Sequence, residues 1–108
     1  MEFDQIVQRA MAIRRQYAAW EHQQHERSWT DEEIALGLVG DVGDLMKLIQ
    51  AKNGVRAIRD ADAKLAHELA DCLWSVIVLS QLYGVDLESE FLRTMDDLEA
   101  HLQQSSKG

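Results

Sequence analysis

"TDEEIALGLVGDVGDLMKLIQAKNG", from Thr30 to Gly54, decides the fold. Thr30 and Glu33 form a Thr-x-x-Glu capping box ahead of an apolar run, and Asn53-Gly54 supplies a stop. The segment therefore reads as one helix ending near Lys52, with Ile34, Leu38, Leu45 and Leu48 on its apolar side. Two features sit badly in such a helix. Gly37, Gly40 and Gly43 each cost it about 1 kcal/mol relative to Ala. Asp41 and Asp44 share a face at the edge of the apolar side, where an unpaired carboxylate is expensive. The glycines leave a bare strip that another helix or a ligand can approach closely, and both readings stay open here.

Working outward, a first helix is expected from about Phe3 to Glu26, with Ile6, Ala10, Ile13, Tyr17 and Trp20 as its apolar stripe. Arg9, Arg14, Arg15 and Gln16 fall mostly off that stripe. The polar link "HQQHERSW" separates it from the second helix. After "NGVRAIRD", Asp60 or Asp62 is placed to cap a third helix that ends at Gly84. Asp86 then caps a fourth, running to about Gln104. Proline is absent and no segment reads as a strand. The expectation is an all-α fold, a four-helix bundle in a single domain over residues 1–108, with a frayed tail at about 105–108. The third helix is apolar nearly all round between Leu69 and Leu82. A second subunit is its expected cover, through Trp74, Ile77 and Val78.

Acids outnumber Lys and Arg by 19 to 11, a formal net charge of −8. Such a surface repels a phosphate backbone, so no nucleic-acid partner is expected. Hydrophobic residues at 46% exclude disorder as the main state. The longest apolar run, "LADCLWSVIVLSQL", reads as too short and too polar to span a membrane, so no membrane is expected. A lone Cys72 and an N-terminus without a signal-peptide pattern suit a reducing cytoplasm.

Glu68 and Asp71, within "AHELADCLW", repeat the three-residue spacing of Asp41 and Asp44, again beside apolar positions. Two such pairs on neighbouring antiparallel helices can converge. Four converging carboxylates repel one another unless a cation sits among them, and a hard divalent ion such as Mg²⁺ prefers oxygen ligands. No Glu-x-x-His motif is present for a di-iron bundle. The plain alternative, ordinary surface acids, fits the same spacing. His22 and His25 make a poor metal pair, and His67 is expected to point away from the acids. Trp29, in the link, is the best candidate to stack on a base, whereas Trp74 reads as core or interface.

"LVGDVGDLMKLIQAK" followed by "HELADCLWSVIVLSQLYGVDLESEF" resembles the MazG-like all-α nucleoside triphosphate pyrophosphohydrolases, including the dCTP pyrophosphatase branch. The resemblance covers roughly Trp20 to Met95. It implies a MazG-like bundle assembled as a dimer or tetramer. It also implies Mg²⁺ (Mn²⁺ as the alternative) held by Asp41, Asp44, Glu68 and Asp71 as metal ligands and catalytic residues. The implied reaction cleaves a nucleoside triphosphate to the monophosphate and pyrophosphate. The chain departs from the pattern in places. Asp41 and Asp44 stand where the family has glutamates, and Gly40 where many members carry a further acid. In "RTMDDLEAHL" Arg93 is the one Lys or Arg, with Thr94 at the family's lysine position. The phosphate grip then falls to Lys47, Lys52, Arg56, Arg59 or Arg93, or to a neighbouring subunit. Two functional readings follow: a Mg²⁺-dependent pyrophosphohydrolase, or a non-catalytic dimeric module that binds a nucleotide or a protein partner. Neither the general base nor the preferred base and sugar is legible.

Overall fold

The capping box at Thr30 is present in the computed structural model, which describes residues 1–107. The Thr30 hydroxyl accepts from the Glu33 N–H at 3.2 Å, and Glu33 Oε1 accepts from the Thr30 N–H at 3.2 Å. This pair opens α2 (Asp31–Lys52), which follows α1 (Phe3–His25) and precedes α3 (Ala61–Leu82) and α4 (Leu87–Lys107). No strand occurs among the described residues. Gly54 and Gly84 lie at φ +77° and +67°, the left-handed region that stops α2 and α3 where expected. Beyond them Val55 N–H reaches Gln50 O at 2.9 Å and Val85 N–H reaches Ser80 O at 2.8 Å. Asp86 caps α4 by accepting from Ser89 N–H at 3.2 Å. Asp60 holds the N-cap position of α3 without a side-chain capping bond, and Asp62 lies inside the first turn, paired with Lys52. α4 continues to Lys107, past the expected end at Gln104. Gly108, the end of the expected frayed tail, lies outside the described residues.

The Glu33 carboxylate also accepts from the two terminal guanidinium nitrogens of Arg27, at 2.6 and 3.1 Å. That fork, then the Thr30 N–H, holds the Glu33 carboxyl down at about 2. Because the folded value is depressed, the stabilisation is complete above the ordinary carboxylate range and is lost as pH falls through about 2. Arg27→Ala is therefore expected to move the acid limb of unfolding, followed by helical circular dichroism, to higher pH.

α2 packs extensively against α3, and α1 meets α3 over a smaller contact. Val7, Ala10 and Ile77 form a core cluster, with Phe3, Met11, Trp74 and Leu87 against it. Ile34, Leu48 and Val78 are buried as well. The expected α1 stripe is corrected by the structure. Of its members only Ala10 is buried, while Tyr17 and Trp20 are more than half exposed. The inward line is Val7, Ala10, Arg14 and Glu21, because Arg14 and Glu21 neutralise each other in an ion pair at 3.2 Å. The expected mate-facing residues are corrected too. Ile77 and Val78 are 2% and 0% exposed within one chain, and the uncovered side of α3 carries Leu69, Leu73 and Val76.

Among the described residues of α4, only Leu87 packs against the core cluster. The radius of gyration is 17.6 Å, against about 13 Å for a compact chain of this size. By length and composition α3 does qualify as a membrane span, contrary to the sequence expectation. Its Glu68 and Asp71 are ionisable groups of a kind that is costly at the centre of a bilayer.

Candidate metal centre

The α2–α3 packing brings acids from two helices to one point. Oxygens of Asp41, Asp44 and Glu68 all lie within 4.8 Å of one another. Asp41 and Asp44 are one turn apart on α2, and Glu68 faces them from α3, as the spacing required. Asp71 stands outside this trio. His67, one turn before it on α3, places Nε2 3.1 Å from Asp71 Oδ2, so His67 engages an acid rather than pointing away. The fourth expected ligand is thus held at the edge of the group.

The electrostatics bear the mark of crowding. Glu68 has its carboxyl pushed above the usual range, first by burial, then by the hydrogen bond shared with Asp41 and by the charges of Asp41, Asp71 and Asp44. Burial pushes the neighbouring Cys72 thiol up, helped by Asp41, Glu68 and Asp71. The Glu68 Oε1 atom is buried with no hydrogen-bond partner. Such an orphan is costly unless something positive meets it. The nearest cation to the trio along α2, Lys47, has Nζ 4.0 Å from Asp44 Oδ1 and is more than half exposed. An all-oxygen set with an orphaned inner atom fits a hard divalent cation.

Two cavities meet at these acids. One, of about 840 Å³, is lined by Tyr17, Trp20, Trp29 and Trp74 and reaches Asp41 and Asp71. The Trp29 ring lies 3.7 Å from where a Cβ on Gly37 would stand, ordinary van der Waals contact, so the ring packs over the first glycine of the strip. Nothing lies within 4 Å of the corresponding points on Gly40 and Gly43. Trp74 joins core and cavity: its Nε1–H donates to Ala10 O at 3.2 Å, and its ring meets Tyr17 edge-on at 6.0 Å. The second cavity, of about 550 Å³, is lined by Asp44 and Glu68 together with Lys47, Lys64 and His67. The trio thus stands between an aromatic space and one where Lys47 and Lys64 face Asp44, Asp60 and Glu68.

Of the expected substrate contacts, Trp29 and Lys47 line these cavities. Lys52 is paired with Asp62 at the far end of α2, and Arg93 with Glu90 on exposed α4; neither lines either cavity. Lys64 was missed, although it precedes Glu68 by one turn, a spacing that the sequence displays. Arg14 and Glu21 were missed as well, because charged residues two turns apart read as solvated surface. A family model of the MazG nucleotide pyrophosphohydrolase domain matches residues 29–101. No curated protein and no solved structure matches the chain.

Proposed function

The chain belongs to the MazG nucleotide pyrophosphohydrolase family, and from that premise we propose that it hydrolyses a nucleoside triphosphate to the monophosphate and pyrophosphate. The observation that carries the reading is the Asp41–Asp44–Glu68 trio with its orphaned Glu68 Oε1, set between an aromatic cavity and one that Lys47 and Lys64 help to line. In this reading the trio holds Mg²⁺, or Mn²⁺ in its place, with Asp71 beside them as a further ligand. The ion, when bound, supplies charge neutralisation at the phosphates and a lowered pKa for water. Trp29 and its aromatic neighbours receive the base, and Lys47 and Lys64 attract the phosphate chain on the other side. A carboxylate at the edge of the trio is placed to accept a proton from the attacking water. The exposed apolar residues on α2, α3 and α4 are covered by further copies in a dimer or tetramer, and the lone thiol suits a reducing cytoplasm.

The test is a screen of ribo- and deoxyribonucleoside triphosphates with Mg²⁺, read as released pyrophosphate. Release of orthophosphate alone, or of nothing, overturns the reaction. One observation favours the second reading, a non-catalytic module that binds a nucleotide or a protein partner: among the described residues, no cation of α4 lines either cavity. Tight nucleotide binding without turnover would select it. Lys64→Ala is expected to raise KM for the triphosphate about 10-fold with a smaller change in kcat, since a flexible ammonium mainly adds attraction felt by ground and transition states alike.

A further inference from the structure

Trp29 belongs to the irregular link between α1 and α2, yet both its backbone groups are held by buried charge. Its N–H donates to Glu21 Oε1 at 3.0 Å, and its carbonyl accepts from the Arg14 guanidinium at 2.6 Å. The same Glu21 oxygen accepts from Arg14 at 3.2 Å. Glu21 is only 5% exposed, and the Arg14 side chain 12%. The start of α2 does not need this: Thr30 and Glu33 already cap it. A buried ion pair is a poor source of stability compared with apolar packing, so its role is sought in the geometry it fixes. Here it fixes the one link residue whose ring lies over Gly37, a single turn from Asp41, in the cavity wall.

We propose that Arg14 and Glu21 are positioning residues for nucleoside recognition: together they clamp Trp29 so that its indole forms a fixed stacking wall at a set distance from the acid trio. This rests on the reading that the aromatic cavity receives a base. A free Trp29 would lose rotational order that a bound base must then restore; a clamped one presents the ring already in place. Arg14 and Glu21 line the same cavity but stand apart from the acid trio, so the loss of the clamp shows in binding and not in the chemical step.

The experiment uses the full chain labelled with 5-fluorotryptophan, the Trp29 line being assigned by Trp29→Phe. Without nucleotide, Glu21→Gln and the milder Arg14→Lys are expected to shift and broaden that line while helical circular dichroism stays as in the parent. With Mg²⁺ and an α,β-methylene nucleoside triphosphate, Glu21→Gln, Arg14→Lys and Trp29→Ala are each expected to weaken binding about 10-fold. Combining Glu21→Gln with Trp29→Ala should weaken it no further than Trp29→Ala alone. With hydrolysable triphosphate the two clamp variants should raise KM and leave kcat within about twofold. An unmoved Trp29 line in both clamp variants, or additive losses in the double variant, overturns the clamp. If no analogue moves the Trp29 line of the parent, the nucleoside assignment of the cavity is overturned instead.

Discussion

Glu68→Gln is expected to reduce pyrophosphate release by about 10²-fold or more while raising the melting temperature of the metal-free protein. Both effects come from one charge. In the folded chain Glu68 ionises with difficulty, because burial and the charges of Asp41, Asp71 and Asp44 oppose it. Its folded pKa lies above the unfolded one. The folded state therefore binds more protons between the two values, and stability falls as pH rises through that window. Gln keeps the size and removes this slope, so the variant gains a few degrees at neutral pH. It also removes the inner oxygen donor of the trio. Mg²⁺ should raise the melting point of the parent, by mass action worth about 2.7 kcal/mol at a hundredfold excess over Kd, and should not raise that of the variant. Stability gained with activity lost marks a functional group kept against the interests of the fold. Retained turnover in the variant would remove Glu68 from the site, and a lower metal-free melting point would make it a packing group.

Much of this arrangement was legible because helices advertise it. Capping at Thr30 and stops at Gly54 and Gly84 are local, set by one turn of backbone, and they appear where the sequence puts them. The convergence of Asp41, Asp44 and Glu68 follows from three-residue spacing on two neighbouring helices, also local. Asp71 was less legible: spacing gives it the face of Glu68, but His67 at i−4 competes for it. What spacing could not show was the inward pairing of Arg14 with Glu21. Each alone is a surface residue by type, and only the pair can be buried. That pairing turned α1 so that Tyr17 and Trp20 rim a cavity rather than fill the core. The surfaces left over by these choices were illegible for a related reason. A periodic apolar stripe looks the same whether its cover comes from this chain or another.

α4 carries the second large expectation. Phe91, Leu92, Met95 and Leu98 follow helical spacing along one side, and all are 40–57% exposed. Apart from Leu87, none of the described α4 residues packs against the core cluster. A helix in water gains little from propensity alone and draws most of its stability from a packed face, so this one calls for a cover. Leu36, Val39 and Met46 on α2 and Leu69 and Leu73 on α3 are at least half exposed as well, on the same chain. Self-association that joins such faces under a two-fold axis covers both at once, each copy giving what the other receives. The parent is therefore expected to sediment at twice 12.3 kDa or more at micromolar concentration. Met95→Glu with Leu98→Glu places two charges in the proposed seam, where unpaired carboxylates are costly. This double variant should sediment as a single chain and lose the helical signal of α4. Asp96→Ala, on the polar side of the same helix, should leave the assembly intact. A parent that sediments as one chain with α4 fully helical would show that the stripe needs no cover and would remove the oligomer from the reading.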